Sequence, residues 1–558
     1  MTTKAAPNLW EVLVAKGLTT VPAVIAAQAL ARPDAIALRT EGAPPLNYRA
    51  LHLKACAIAA GLRGAGVRRG DTVVLFGPNS ADIVACWIAV NVLGAIEVCI
   101  NTANRGAPLV HALNNAQARH IVVAAELLKY VVQVGDQLDH LEHACIFEEG
   151  SAEVPSHRFR STLLSDLLRP ERATAIEEEI RSESGDVAPS NIASIIYTSG
   201  TTGPAKGVLM PHAQVCLLAA MSVRGLKLTE DDVFHCFHPM FHMAGKFMGI
   251  LATFIAGGQA VLDRAFDAEH WLVKLRTHGI TAGLAHGPMV EMIHAQPARP
   301  DDQDNPLRRM IVAPFPTRIA TDFERRFDVR GIEVWGMTEV GVPIWCDVDR
   351  PLRPGSCGRN DDELFDVAIV DPVTDEDVAP GEVGELVVRP RLPWVLMQGY
   401  MGMHEETVAT WRNLWFHSGD SARRDADGNH FFIDRLKDRI RRRAENISSY
   451  EIESAALSYP PVAEAAAVGV PSQFHDDDDI KLTIVVQPKM ALREQDLLAH
   501  LAGCLPHYML PRYIERLEAL PRTPTNKVRK AELRARGVDA AVWDRKAIGI
   551  EVKSLYEN

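Results

Sequence analysis

Residues 192–210 read IASIIYTSGTTGPAKGVLM, and this stretch decides how the rest of the chain is organised. Ile192, Ile195, Ile196 and Tyr197 form a short β-branched and aromatic run, which signals a strand. A second apolar run, Val208-Leu209-Met210, closes the stretch, so the element reads strand, loop, strand. Within the loop, Gly200, Gly203 and Gly207 let the backbone turn tightly and aim N–H groups at one point. Thr198, Ser199, Thr201 and Thr202 add neutral donors, and Lys206 adds a point charge on a flexible stem. That combination suits a polyphosphate. The spacing is G-x-x-G-x-x-K-G, which separates it from the P-loop.

Composition sets the bounds. A chain of 558 residues is too long for one core, so at least two domains are expected. Hydrophobic content of 47% and charged content of 23% are those of a globular protein. A net charge of −12 argues against nucleic acid or an acidic membrane as the main partner. The nine cysteines are scattered without a C-x-x-C, which favours buried reduced thiols in a cytoplasmic protein over disulfides. The start has no apolar run fit for a signal peptide. The most apolar window, residues 86–100, is interrupted by Asn91, Gly94 and Glu97, so it reads as a buried helix turning into a strand.

Strand and helix patterns alternate along the first third. Thr20 with Pro22 starts one helix, and residues 46–51 lead into another that runs to Leu62. Strands are expected at 71–76, 96–100, 121–124 and 145–147, with helices at 80–92 and 109–116. This implies a parallel or mixed sheet covered by helices. Residues 169–190, with Glu177, Glu178 and Glu179 in a row, read as a solvated approach to the glycine-rich loop or as a linker.

Further on, residues 235–245 (HCFHPMFHMAG) invite a zinc reading, yet Pro239 prevents one helical face from collecting the histidines and no second Cys/His cluster completes a set. Core histidines beside a strand end are the plain alternative. Residues 308–316 read as a strand ending in a proline-rich loop, and 331–339 as a strand running into Trp335-Gly336-Met337-Thr338-Glu339. Residues 398–400 read as a turn. Residues 421–424 and 430–434, with a turn at Asp425-Ala-Asp-Gly428, read as a hairpin, with Asp420 just before the outgoing strand and Arg435 just after the returning one. Closing it brings Asp420 beside Arg435, which on its own would be a surface ion pair.

The charge run at 434–443 marks the domain boundary. Beyond it, Ser448 with Glu451 forms a capping box, and Ile452, Ala455, Ala456 and Tyr459 follow at helical spacing up to Pro460. Strands at 462–470 and 480–486, an exposed acidic loop at 476–479 and a helix at 493–505 make a compact α+β unit. Residues 521–530 (PRTPTNKVRK) are a basic loop, and the last residues read as a tail.

In this order and spacing, the strings resemble the motifs of the adenylate-forming superfamily of acyl-CoA synthetases, peptide-synthetase adenylation domains and luciferases. The resemblance runs from about Leu46 to Lys530, and DRIRRRAENISS (438–449) looks most like bacterial crotonobetaine/carnitine-CoA ligases. It implies an α/β fold: a large N-terminal domain of mixed sheets covered by helices (1–436), a small mobile C-terminal α+β domain (437–536) and a tail (537–558).

The implied roles follow motif by motif. Thr198, Ser199, Gly200, Thr201, Thr202, Gly203 and Lys206 would hold the leaving phosphates of ATP. Ala313 and Pro314 would border adenine, although Val312 to Phe315 stand where relatives carry a Gly-Gly pair. Trp335, with Gly336 and Met337, would offer adenine a π-face. Thr338 would reach the α-phosphate and Glu339 would hold Mg²⁺. Asp420 and Arg435 would grip the ribose. His242, Gly341 and Val342 would line the acyl pocket. Lys437 would be the hinge, Arg441, Ala444, Glu445 and Asn446 would face coenzyme A, and Lys527 would be the catalytic lysine. Ala444 and Asn526 depart from glycines in relatives. The implied activity joins a carboxylic acid to coenzyme A through an acyl adenylate. Loading a separate carrier protein, or non-catalytic nucleotide binding, are the alternatives. Oligomeric state is not written in the sequence, and a homodimer is carried as an open alternative.

Overall fold

A computed structural model of the chain describes residues 7–147, 158–198, 205–436, 440–442, 445–447, 449–472, 478–522, 527–539, 541–550 and 555. Two helical starts follow from their first residues. Thr20 Oγ1 accepts from the Ala23 N–H at 3.4 Å ahead of Val21–Ala31, and Ser80 Oγ accepts from the Ile83 N–H at 3.2 Å ahead of Ala81–Val92.

An eight-stranded sheet carries the glycine-rich element. Its strands Thr72–Phe76, Ile96–Cys99 and His120–Ala124 are parallel, and Ile192–Thr198 joins beside Ile96–Cys99 with Ser194 opposite Glu97. Lys206–Pro211 returns antiparallel, with Lys206 opposite Thr198. A nine-stranded sheet runs Val233–Cys236, Ala282–Ala285, Arg309–Val312 and Arg330–Met337 in parallel, and then turns back through Gly341–Trp345. The helix His212–Leu226 touches strands of both sheets and is buried along most of its length, so the main core lies between them. A third sheet holds Phe365–Val370, Val383–Pro390, Trp415–Arg424 and His430–Arg435.

The smaller unit has its own core and a four-stranded sheet. Val462–Pro471 and Asp478–Val486 form an antiparallel pair, and Tyr513–Arg516 runs parallel to the second of them. The helices Ser449–Leu457 and Glu494–Cys504 pack on this unit.

Four expectations need correction. The charged segment at 169–190 contains the helix Ile176–Ser184, whose Ile176 and Ile180 are buried. Arg63 lies 3.2 Å from Glu179 and His52 lies 3.3 Å from Glu177, so this helix is fastened to Tyr48–Gly64 and is no linker. Residues Gly399–Tyr400 are an edge strand on Lys206–Pro211 and not a turn, because their backbone completes the open side of that strand. Asp479 is buried in a strand and pairs with Arg512 at 2.8 Å, so the acidic run is not all exposed loop. Part of the expected tail is tied down: Trp543–Asp544 adds an edge strand, and Arg545 is buried behind it. Ser448, the expected cap, lies outside the described residues. Among the described residues, no helix is long and apolar enough to cross a membrane.

Candidate active site

Strand ends from all three main sheets converge on one region. Lys206 leaves the glycine-rich loop and sets its Nζ 4.7 Å from the centre of the Tyr400 ring, a cation–π distance. The Tyr400 hydroxyl donates to Glu339 Oε1 at 2.9 Å, and Glu339 is buried just past the end of Arg330–Met337. Gln214, buried on the central helix, donates through Nε2 to the carbonyls of Thr338 at 2.9 Å and Glu339 at 3.2 Å. That fixes the backbone carrying both side chains.

The bend after Trp335 requires glycine twice. A Cβ on Gly336 would meet the Gly341 carbonyl at 2.3 Å, and Gly341 itself has φ +70°. Asp420 and Arg435 sit inside their strands, directly opposite each other, rather than just outside them as expected. Arg435 Nε lies 2.9 Å from Asp420 Oδ1, and the Trp335 indole N–H donates to Asp420 Oδ2 at 2.9 Å. Burial pushes the Asp420 carboxyl up from its ordinary value, with Arg435 and the indole pulling the other way.

Lys527 belongs to this region electrostatically. As a residue it is exposed, yet its ammonium is crowded enough that lost hydration lowers its basicity. Arg435 adds to that lowering, while Asp420 and Glu339 hold the charge on. Its charge also bears on His242 and His286. Lys527 is held locally by the antiparallel bridge between Arg522 and Val528.

The histidine-rich string divides. His235 Nε2 lies 2.9 Å from Asp263 Oδ2 in the core, whereas His242 borders the site with its ring 5.6 Å from that of His286. Three metal-ligating side chains converge at one place among the described residues, His52, Cys56 and Glu177, and none of these belongs to the string. Val342 is buried beside Gly341, and Ala313-Pro314 is a cis peptide at the end of Arg309–Val312. Glu339 fits a hard divalent cation: its hydrogen bond engages one carboxylate oxygen, and a lone carboxylate with phosphate oxygens is the usual Mg²⁺ donor set.

Several expected residues cannot be placed. Ser199, Gly200, Thr201, Thr202, Gly203, Lys437 and Ala444 lie outside the described residues. Arg441 and Asn446 face each other across the ribbon formed by Ile440–Arg442 and Glu445–Ile447, as backbone partners. Sequence reasoning missed Tyr400, Gln214 and His286. A tyrosine in a Gln-Gly-Tyr triplet looks like a turn residue until the edge pairing is seen. Gln214 and His286 become informative only once tertiary contacts bring them in.

Glu333, two residues before Trp335, supplies a stability test. Its Oε2 has no hydrogen-bond partner among the described residues, and burial pushes the carboxyl up to about 8 from an ordinary 4.5. The folded state therefore holds a proton that the unfolded chain releases, and stability falls as pH rises from about 4.5 to about 8. Glu333→Gln is expected to gain about 3 kcal/mol at pH 7 and to flatten that slope in denaturant titrations. An unchanged slope would contradict the assignment.

Comparison with known proteins agrees with this geometry. Residues 25–401 match the family model described as AMP-binding enzyme, and residues 451–527 match the AMP-binding enzyme C-terminal domain. A feruloyl-CoA synthase from an Amycolatopsis species is 30% identical over 511 residues, spanning 90% of this chain and 96% of that protein. The crotonobetaine/carnitine–CoA ligase of Salmonella typhimurium is 28% identical over 481 residues, 84% of this chain and 89% of its own length. The fold matches the anthranilate CoA ligase AuaEII in complex with anthranoyl-AMP, with a TM-score of 0.81 at 24% identity over 93% of this chain and 97% of that one. It also matches ATP-bound MatB from Rhodopseudomonas palustris, with a TM-score of 0.79 at 22% identity over 93% and 99%. The chain belongs to the AMP-binding enzyme family, among the AMP-forming acyl-CoA synthetases of the adenylate-forming superfamily.

Proposed function

We propose that this site activates a carboxylic acid on the α-phosphorus of MgATP and then passes the acyl group to coenzyme A. In the first step a carboxylate oxygen bonds to the α-phosphorus as the bond to the β-phosphate oxygen breaks, releasing pyrophosphate. Charge builds on the phosphates, so fixed cations and donors lower the barrier. Lys206 and the loop before it hold the leaving phosphates. Lys527 bridges the acid and the α-phosphate, and Thr338 donates to that phosphate. Asp420 accepts from the ribose hydroxyls, steadied by Trp335 and Arg435. Mg²⁺ held by Glu339 would neutralise phosphate charge. In the second step the thiol sulfur attacks the acyl carbon and AMP leaves.

What supports the reading is the meeting of Lys206, Tyr400 and Glu339 with Trp335, Asp420 and Arg435, on which Lys527, more than ninety positions further along the chain, also bears electrostatically. Chain segments 1–436 and 437–536 would then be a fixed body and a moving cap hinged at Lys437, with Arg441, Ala444, Glu445 and Asn446 turned to coenzyme A in the second step.

Acid-dependent exchange of labelled pyrophosphate into ATP, followed by AMP release with and without coenzyme A, tests the reading. Exchange without coenzyme-A-dependent turnover would favour loading of a carrier protein, and no exchange with any acid would favour a non-catalytic relative. Trp335→Phe keeps an aromatic face but removes the N–H given to Asp420. It is expected to raise the KM for ATP about tenfold, in line with a hydrogen bond to a charged group. An unchanged KM would remove Trp335 from the ribose grip.

A further inference from the structure

The strands Val233–Cys236 and Ala282–Ala285 are parallel neighbours, so the loops that follow them leave the same carboxyl edge of the sheet. This is the edge where open α/β sheets bind ligands. The first loop brings His238 and His242, and the second brings His286. The His286 ring stands edge-on to His238 at 4.6 Å and to His242 at 5.6 Å.

Their hydrogen bonds assign the protons. The Ala244 N–H donates to His242 Nδ1 at 3.2 Å, so a neutral His242 carries its proton on Nε2 and donates there. His286 Nδ1 lies 3.0 Å from the Ala313 carbonyl, which can only accept, so His286 keeps its proton on Nδ1 and offers a lone pair at Nε2. Burial pushes His242 down to about 3 and lowers His286, and the Lys527 charge works in the same direction on both. The rings are therefore neutral near pH 7. His238 is buried, and its Nε2 has no hydrogen-bond partner among the described residues.

We propose that the acid taken by this site carries a neutral hydroxyl close to its carboxyl, held between His242 Nε2–H and the lone pair of His286 Nε2. The proposal rests on the acid-activating reading above and names the class of acid. A hydroxyl both donates and accepts, so it satisfies both rings. A second carboxylate would meet the His286 lone pair, and an ammonium group would meet the His242 N–H and the Lys527 charge. A plain hydrocarbon would leave both imidazoles dry and unpaired. Lys527, which the acid-activating reading sets on the reacting carboxyl, bears electrostatically on both rings, and on that reading the hydroxyl stands near the carboxyl.

The full-length enzyme is assayed by pyrophosphate exchange on acids matched except for one hydroxyl. One pair is 3-hydroxybutyrate against butyrate, for an aliphatic source. The other is 2-hydroxybenzoate against benzoate, for an aromatic one. At least one hydroxy acid is expected to exceed its partner about 100-fold in kcat/KM, since a site built to bond a hydroxyl rejects the analogue without it. His286→Leu is expected to collapse that ratio towards one, and His286→Gln, which keeps an acceptor, to restore part of it. If the leucine variant does not fold, as judged by circular dichroism, the ratio in His286→Gln and His242→Gln carries the test, each falling below the parent. Hydrocarbon acids that match or exceed both hydroxy acids would overturn the proposal, as would a ratio indifferent to these substitutions. No exchange with any acid would overturn the acid-activating reading itself, a result distinct from exchange without a hydroxyl preference.

Discussion

Lys527→Ala is expected to lower acid-dependent pyrophosphate exchange by about 10²–10³-fold, the usual cost of deleting one charged donor aimed at developing charge. It should leave thioester formation from supplied acyl adenylate near the parent rate. The argument starts from position. The Arg522–Val528 bridge closes a short loop with Lys527 at its end, and the ammonium there answers to Asp420, Glu339 and Arg435. Lost hydration and Arg435 weaken its hold on the proton, whereas the two carboxylates favour the charged form, the form that bridges an acid and a phosphate. On the proposed reading, a cation in that place serves the step that expels pyrophosphate. It has no evident part in attack by a thiol, when the cap is expected to have turned. Stopped exchange with preserved transfer in a folded variant is the expected result. Equal loss of both steps would contradict the division of labour.

The second large effect is on stability. Lys246 lies in the π-helical segment Ala244–Leu251 with its Nζ 2.6 and 2.7 Å from the two oxygens of Glu97, and both side chains are fully buried. The Ser194 hydroxyl adds a hydrogen bond to Glu97 Oε2 at 2.5 Å. Because Ser194 stands opposite Glu97 in the sheet, this cluster pins the strand that feeds the glycine-rich loop to the helix that follows His242. Lys246→Met strands a carboxylate without its counter-charge, and about 3–5 kcal/mol of stability should be lost. Lys246→Met combined with Glu97→Gln should recover much of it, because no charge then remains buried. Chemical denaturation of the two variants distinguishes them. A single variant as stable as the parent would show that the pair is not holding these elements together.

The motif-bearing strands were legible because their patterns are local. The run Ile192–Thr198 and its return Lys206–Pro211 pair as the β-branched residues and glycines require. Thr20 and Ser80 cap helices by a rule that needs three residues of context. The misreadings share a cause. The helix Ile176–Ser184 is acidic enough to look solvated, and the burial of Ile176 and Ile180 depends on a partner helix more than a hundred residues away. Gly399–Tyr400 and Trp543–Asp544 are strands of two residues that exist through the edges they complete, which no period can reveal. At the site, Asp420 and Arg435 could be paired from hairpin arithmetic alone. Tyr400 on Glu339, Gln214 beneath Thr338 and His286 beside His242 are meetings of distant segments, visible only in three dimensions.

The central claim is that these segments bring a carboxylate oxygen onto the α-phosphorus. Acid labelled with ¹⁸O in its carboxyl, turned over with ATP and coenzyme A and analysed by mass spectrometry, tests it most directly. The account predicts one labelled oxygen in each AMP and none in pyrophosphate. Unlabelled AMP, or label in inorganic phosphate alongside ADP, would contradict it.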